Sequence, residues 1–248
     1  MRAILTWHSI DPSGSVISVA PDTFRAQLEA IRQIGLRVVG IPELLALPDD
    51  AEAVALTFDD GFVNFRTDAW PLLRSHGFPA TVFVVSGHVG GDNRWRGRAD
   101  AGIPVLPLMG WDDLAVLCGE GLTLGAHTRT HVHLTTLDDA TLEQELTSVT
   151  REIAHRTGAP VDGLAYPYGD VDERVAAHTA THYAWACTTE YAVLGSASRR
   201  ECIPRLDAWY FRDAHRLTEW GTSSFRAHVW LRRQARLVRS SLRSMVTA

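Results

Sequence analysis

The sequence predicts an α/β fold in which seven or eight parallel strands alternate with helices and form a closed or nearly closed barrel. Short apolar runs alternate along the chain with segments in which apolar residues have a helical spacing. The 248 residues suit one such barrel, and an apolar fraction of 46% is sufficient for a large core. Continuous apolar strands are typical of a parallel sheet that helices cover on the outside.

Eight apolar runs are the predicted strands, and helical segments lie between most of them. One helical segment has its apolar face around Leu28 and is expected to end before Gly35; another has its face around Leu146 and is expected to end before Gly158. The predicted strands are Ala3–Trp7, Arg37–Ile41, Ala53–Phe58, Ala80–Val85, Leu122–Ala126, Leu164–Tyr166, Tyr183–Thr188 and Ile203–Leu206.

We predict that residues 1–211 form the barrel and that residues 212–248 form a basic, helical C-terminal extension. A long connection over residues 87–110, rich in glycine, arginine and proline, separates two of the predicted strands. Connections of this length in compact domains are often functional, so we expect this one to serve the activity.

Composition narrows the class of protein. A net charge of −5 argues against a general nucleic-acid binder, so no nucleic-acid partner is expected. Three scattered cysteines without a CxxC spacing predict neither a disulfide framework nor a thiolate zinc site. The sequence shows no secretory signal pattern and no run of about 18 apolar residues, so we expect a cytoplasmic protein. The oligomeric state stays open.

Two adjacent carboxylates directly follow the third predicted strand, in the run LTFDDG at residues 56–61. In a parallel barrel this position places Asp59 and Asp60 at the carboxyl-terminal mouth, where active sites are built. Two neighbouring anions repel each other, so ionising both is unfavourable unless a cation is close. A bound metal ion would stabilise one of them as a ligand and leave the other free as a base. A solvated turn is the alternative interpretation, because Asp-Asp-Gly turns are common.

A second polar run, HTRTH at residues 127–131, also follows a predicted strand. His127 and His131 can face one point if the loop coils into a turn. Two imidazoles and one carboxylate suit zinc or a similar ion and leave coordination positions open, as a hydrolytic site requires. Surface histidines are the alternative. A third run, AYPYG at residues 165–169, predicts a sharp turn whose backbone N–H can point into the mouth.

Together the three runs resemble the motifs of the polysaccharide deacetylase family with the NodB homology domain, also known as carbohydrate esterase family 4. TFDDG resembles the family's first motif, HTRTH its second, and YPYG at residues 166–169 the core of its third. The resemblance covers roughly residues 1–210. It implies a distorted (β/α)7–8 barrel of the NodB type, in agreement with the strand count.

The resemblance also implies a role for each motif residue. Asp59 would be the general base, and the backbone N–H of Tyr168 would help to hold the oxyanion. Asp60, His127 and His131 would bind one divalent metal ion, usually zinc, with cobalt, manganese or nickel as alternatives. The implied activity is metal-dependent removal of an N-acetyl group from an N-acetylated sugar or glycoconjugate.

Two departures from the family pattern concern the catalytic groups. Many members have an arginine two residues before the proline of the third motif, where it orients the catalytic aspartate; here that position is Ala165. We expect Arg205, after the last predicted strand, to take its place and to pair with Asp59. The late Leu-x-x-His that usually supplies the general acid is not evident, and His8 and His215 are the candidates for that role.

Two other functions stay open at this point. A metal-dependent hydrolase of another C–N bond, such as a cyclic amide or imide, would use the same residues. A non-catalytic carbohydrate-binding module on the same fold is the second alternative, although such a module does not need a spare base beside a metal ligand. Trp95, Trp111 and Tyr168 are candidates for flat faces against sugar rings, and core packing is equally open for Trp111.

From Ser223 onwards the extension is expected to form a helix with six arginines. Either its apolar face packs on the barrel, or the helix makes peripheral contact with an anionic membrane surface and so brings a cytoplasmic enzyme to a lipid-linked substrate. The apolar residues of this predicted face are Phe225, Val229, Trp230, Val238, Leu242 and Met245.

Overall fold

The computed structural model describes the backbone of residues 1–246 and the side chains of residues 1–239. The strands are β1 (Arg2–Trp7), β2 (Ser9–Ile10), β3 (Ser18–Val19), β4 (Arg37–Val38), β5 (Ala53–Phe58), β6 (Thr81–Val84), β7 (Thr123–Ala126), β8 (Gly163–Ala165), β9 (Trp185–Cys187) and β10 (Leu206–Asp207). The α-helices are α1 (Pro21–Gln33), α2 (Ile41–Ala46), α3 (Trp70–His76), α4 (Trp111–Gly119), α5 (Asp139–Thr157), α6 (Glu173–His182), α7 (His215–Thr218) and α8 (Ser223–Val246).

In this part of the chain, eight strands form one parallel sheet in the order β10-β1-β5-β6-β7-β8-β9, with β4 paired to β5 as well. β4 pairs with the first two residues of β5, and β6 pairs with its last two. The segment before β10 connects the ends of the sheet, because Ile203 bridges to Cys187 of β9 and Leu206 pairs with Leu5 of β1. The predicted distorted (β/α) barrel is confirmed.

Every predicted strand overlaps an observed one, and two of the predicted bounds are wrong at prolines. Ile41 belongs to α2 rather than to the preceding strand, because Pro42 favours the first turn of a helix. The last strand begins at Leu206 rather than at Ile203, because Pro204 has no N–H to donate to the ladder.

The predicted helix ends are confirmed at two glycines. α1 ends at Gln33, and Gly35 follows with a φ of 63°. α5 ends at Thr157, and its C-cap Gly158 has a φ of 70°. Both angles lie in the left-handed region, which glycine adopts without the clash that a Cβ would cause.

Alternate strand residues pack in two different apolar cores. Leu56 of β5 contributes to the core between the sheet and the helices, whereas Ala55 contributes to a smaller core inside the barrel. Phe83 and Trp185 fill much of that interior. At Gly163 a Cβ would lie 2.1 Å from the Trp185 ring, so the interior accepts the indole only because β8 has no side chain there.

The extension packs against the barrel at the start of α8. Phe225 and Val229 are buried in the same core as barrel residues. Trp230 and Val238 are each 59% exposed. The single apolar face predicted for this helix is therefore wrong, since the helical spacing places these two pairs on different sides.

Leu242 and Met245 of the predicted face lie outside the described side chains. The domain boundary after residue 211 stays a prediction. Within residues 1–246, the structure contains no helix with the length and apolar character needed to cross a bilayer.

Candidate metal centre and active site

The polar motifs meet at the carboxyl-terminal end of the barrel, directly after β5, β7 and β8. The β5 ladder extends through Asp59, whose N–H donates to the Trp7 carbonyl at 2.9 Å. Asp60 then turns away with a φ of 71°, a left-handed conformation in which aspartate is enriched. This turn directs the two neighbouring carboxylates to different partners.

The two histidines of HTRTH both direct Nε2 to Asp60. Each Nε2 lies 3.4 Å from Asp60 Oδ1. His127 Nδ1 lies 2.7 Å from the Ala165 carbonyl and can only donate to it, so the Nε2 lone pair is available to a metal. The loop coils as predicted, because Thr128 and His131 have φ angles of 64° and 57° and the His131 N–H donates to Thr128 Oγ1.

These three side chains fit a divalent metal ion. They are all buried, and their candidate ligand atoms lie within 4.8 Å of one another. Among the described residues Asp60 Oδ1 accepts no hydrogen bond, although a buried carboxylate oxygen normally has a partner. Burial raises the pKa of Asp60, and burial together with His127 holds the pKa of His131 well below its usual value, so this imidazole is neutral. One oxygen and two nitrogens form a donor set that suits zinc.

Asp59 is paired with Arg205, as predicted. The guanidinium donates through Nη1 and Nη2 to the two carboxylate oxygens, at 2.6 and 2.8 Å, and both side chains are buried. Arg205 also donates hydrogen bonds to Thr6 Oγ1 and the Thr188 carbonyl, at 3.0 and 3.1 Å. The Phe83 ring centroid lies 5.5 Å from the Arg205 guanidinium carbon. Burial alone would raise the pKa of Asp59, but Arg205 and the nearby histidines outweigh burial and hold it well below its usual range.

Only one of the two candidate general acids is brought to this site. His8 Nε2 lies 3.7 Å from Asp59 Oδ2, and the ring is partly exposed. His215 is exposed on α7, where it contacts Thr218. Of the two histidines that the sequence offered as general acid, the structure therefore favours His8.

Tyr168 is also placed at the site. Its φ of 60° marks the sharp turn predicted for the third motif. The ring is 39% exposed and stacks on His133 with ring centroids 4.2 Å apart. The role of its N–H toward an oxyanion stays a prediction.

A cavity of about 210 Å³ lies over these groups. The long connection predicted to be functional supplies four of its walls, Asn93, Trp95, Asp100 and Ile103. Trp95 stacks on His131 with ring centroids 4.3 Å apart and an interplanar angle of 21°. Trp111 begins α4 and does not line this cavity. The remaining lining residues are His8, Ile17, Asp59, Asp60, His127, His131, Tyr166, Tyr168 and Thr189.

Glu145 supports the metal-binding loop, and sequence reasoning missed it. Its Oε2 accepts the backbone N–H groups of Arg129 and Thr130 at 2.8 and 2.9 Å, and its Oε1 accepts the Thr130 hydroxyl at 2.7 Å. The side chain is buried. The available signal was an acid three residues after Leu142, inside the apolar stripe of α5, because glutamate is rarely buried without partners.

Comparison with known proteins identifies the family. The sequence pattern described as "Polysaccharide deacetylase" matches residues 46–185. The Bacillus subtilis protein YxkH, which is named as a polysaccharide deacetylase, is 25% identical over 202 residues, or 79% of this chain and 66% of that protein. The poly-beta-1,6-N-acetyl-D-glucosamine N-deacetylase of Escherichia coli is 30% identical over 84 residues, or 31% of this chain and 12% of that protein. The chain thus spans slightly less than two thirds of the first relative and a small part of the second.

Two solved structures have a similar fold. One is the Streptococcus pyogenes deacetylase PplD in complex with acetate, with a TM-score of 0.70, 20% identity, and coverage of 83% of this chain and 91% of that chain. The other is IcaB from Ammonifex degensii, with a TM-score of 0.68, 21% identity, and coverage of 88% and 97%. These likenesses concern the fold, whereas the family pattern covers more than half of the sequence. The chain belongs to the polysaccharide deacetylase family.

Proposed function

We propose that this protein is a metal-dependent hydrolase that removes the N-acetyl group from an N-acetylated sugar or glycoconjugate. The observation that carries the proposal is the position of Asp59. This ionised carboxylate is held by Arg205 at the edge of the cavity, beside the separate donor set of Asp60, His127 and His131. A base next to a metal-ligand cluster is what amide hydrolysis by water requires.

We propose zinc as the bound ion, with cobalt, manganese and nickel as the other ions that this donor set accepts. Asp60, His127 and His131 would hold it. A divalent ion bound there would polarise the acetyl carbonyl and favour deprotonation of the attacking water. The remaining chemistry belongs to the side chains around it.

Asp59 would accept the proton of the water whose oxygen attacks the acetyl carbon, and a base of this kind contributes about 10²–10⁴-fold in rate. Arg205 holds both carboxylate oxygens, so it fixes the direction of the base without touching the substrate and acts as a positioning residue. The N–H of Tyr168 would donate to the developing oxyanion, a contact typically worth about 10²–10³-fold.

The C–N bond then breaks, and the departing nitrogen needs a proton. We propose that His8 supplies it, because it lines the cavity and its Nε2 is 3.7 Å from Asp59 Oδ2. The products are acetate and the free amine. Tyr168 lines the cavity and is 39% exposed, so its flat ring suits the apolar face of a sugar, whereas the expected sugar contact of Trp95 is opposed by its burial and its stacking on His131.

The substrate class is proposed from the relatives together with the cavity. The Escherichia coli relative is named for an N-acetylglucosamine polymer, and we extend only the N-acetylated sugar to this chain. We propose the cytoplasm as its location. Cys118, Cys187 and Cys202 are thiols, the form that a reducing compartment maintains, and fractionation of cells would test this.

The test is acetate release from N-acetylglucosamine oligomers by the zinc-loaded protein and by Asp59→Asn. Asparagine keeps the shape of the side chain and removes its basicity, so we expect the same zinc content and almost no turnover. Asp50→Asn, an exposed change in a loop, is the matched control and should leave turnover unchanged.

Three results would overturn the proposal. Full turnover by Asp59→Asn would place the base elsewhere. Turnover of cyclic amides or imides with no acetate release would favour the other hydrolase class. Binding of sugars by the metal-loaded wild type without turnover of any amide would favour a carbohydrate-binding module.

A further inference from the structure

An exposed apolar stripe lies on α8. Trp230, Leu231, Leu237 and Val238 are 59%, 60%, 51% and 59% exposed. Their spacing of one, seven and eight residues places them on one side of the helix, which we call the outer stripe. They are four of the nine large hydrophobic side chains exposed within the described part of the chain, although they span only nine residues. Such a concentration on one helix face is typical of an interaction surface.

The opposite side of α8 contacts the barrel. Phe225 and Val229 are buried there. Two helical turns after Val229, Arg236 Nη2 donates to the Thr189 carbonyl at 3.0 Å, and the guanidinium lies 5.8 Å from the Tyr210 ring centroid. The outer stripe therefore faces away from the fold, and the stability of the barrel does not explain it.

The charge of α8 indicates which partner the stripe fits. The helix has six arginines and no acidic residue, whereas the whole chain has a net charge of −5. A helical wheel places exposed Arg226 next to Leu237 on one border of the stripe and exposed Arg239 beyond Leu231 on the other. An apolar strip with cations on both borders matches a lipid surface with anionic headgroups.

We propose that the outer stripe docks on an anionic lipid bilayer surface. Trp230 and the aliphatic side chains would enter the interface, and the border arginines would contact headgroup phosphates. Pairing with a second copy through the same stripe would bring two helices together that each have six arginines and no acid, so repulsion opposes that occupant. Each basic residue near such a surface strengthens binding about fivefold.

Docking would also place the active site at the membrane. Thr189, the hydrogen-bond partner of Arg236, lines the active-site cavity, so the docking helix is fixed to the cavity rim. If the proposed function holds, this arrangement suits an N-acetylated sugar that is linked to a lipid. The docking itself does not depend on turnover.

The experiment is co-sedimentation of the full chain with vesicles of phosphatidylcholine alone and of phosphatidylcholine mixed with phosphatidylglycerol. We expect binding to the anionic vesicles at low salt, weaker binding at moderate salt, and little binding to the neutral ones. The double variant Trp230→Ser with Leu231→Ser should bind at least tenfold more weakly. Arg226→Gln with Arg239→Gln should also weaken binding to the anionic vesicles and should reduce its salt dependence.

Val116→Ser is the matched control, because Val116 is 57% exposed but lies on α4, outside the outer stripe. This variant should bind the vesicles as the wild type does. Circular dichroism and acetate release from a soluble oligomer would show that the variants are folded, and the vesicle readout stands even if no acetate is released. Equal binding of wild type and the double serine variant would overturn the proposal. So would a wild-type dimer, measured by sedimentation equilibrium, that dissociates in the double serine variant without any vesicle binding.

Discussion

Glu145→Ala is expected to weaken metal binding although Glu145 touches no metal ligand side chain. The carboxylate accepts three hydrogen bonds from Arg129 and Thr130, the residues between the two histidine ligands. We take about 1 kcal/mol net for each, the value of an ordinary hydrogen bond rather than of one to a charged group, because Arg129 is exposed and water can replace part of the loss. The free energy of unfolding should therefore fall by about 3 kcal/mol. This loss is smaller than the free energy of unfolding of an ordinary domain, so we expect the variant to fold.

The loss falls on a loop whose N–H groups at Arg129 and Thr130 are held by Glu145, while its carbonyls at Thr128 and Arg129 accept hydrogen bonds from the β6 side of the barrel. Thr128 and His131 both have left-handed φ angles, and such residues persist only where their surroundings hold them. Without Glu145 the loop should relax and move His131 away from Asp60. We expect zinc affinity to fall by about 10–100-fold, the usual effect of removing a group that orients a metal ligand.

Competition with a chromophoric zinc chelator would measure this affinity, and thermal unfolding with and without zinc would measure stability. Glu145→Gln should lie between wild type and alanine, because the amide oxygen still accepts while the charge is lost. Gln144 is exposed on the same helix, so Gln144→Ala serves as the control. Wild-type zinc affinity in folded Glu145→Ala would refute the reasoning, since the loop would then keep its shape without the Glu145 carboxylate.

Arg205→Lys should keep its zinc but lower kcat by at least tenfold, because an ammonium cannot hold both Asp59 oxygens; unchanged kcat with bound zinc would contradict this. Gly163→Ala should lower the free energy of unfolding by about 1–3 kcal/mol or more, because the added methyl group overpacks against Trp185. Gly119→Ala is the control, since a Cβ at that position meets nothing within 4 Å. Equal denaturation midpoints for the two variants would contradict the packing described. Chelation should abolish acetate release and lower the Tm, and added zinc should restore both, because a bound ion stabilises the folded state alone; an unchanged Tm after verified metal removal would argue against a site at Asp60.

The grouping of the site could be predicted from the sequence because of one geometric rule. The carboxyl ends of parallel strands converge, so polar residues directly after β5 and β7 had to lie near each other. Asp60, His127 and His131 follow from that rule. Arg205 could be predicted as well, because Ala165 leaves the carboxylate of Asp59 without the partner expected at that position.

Features that depend on three-dimensional packing could not be predicted. The stacking of Trp95 on His131 depends on the path of a long connection with no repeating pattern. The single apolar face predicted for α8 was wrong, because its apolar residues occur on two sides of the helix with arginines among them. Arg236 shares the barrel side with Phe225 and Val229, and its guanidinium lies against tyrosine rings, because the stems of arginines pack well on such surfaces.

The closure of the barrel by its last strand sets an order of assembly. Asp59 and Arg205 are 146 residues apart, whereas the donor set and the groups that orient it, Glu145 and the Ala165 carbonyl, are complete once the chain has passed Ala165. During synthesis the amino-terminal strands emerge first, and contacts over long sequence separations form late because closing a long loop is entropically unfavourable. A growing chain would therefore be able to take up its metal ion before its base is fixed in place, and hydrolytic activity would begin only when the final strand inserts.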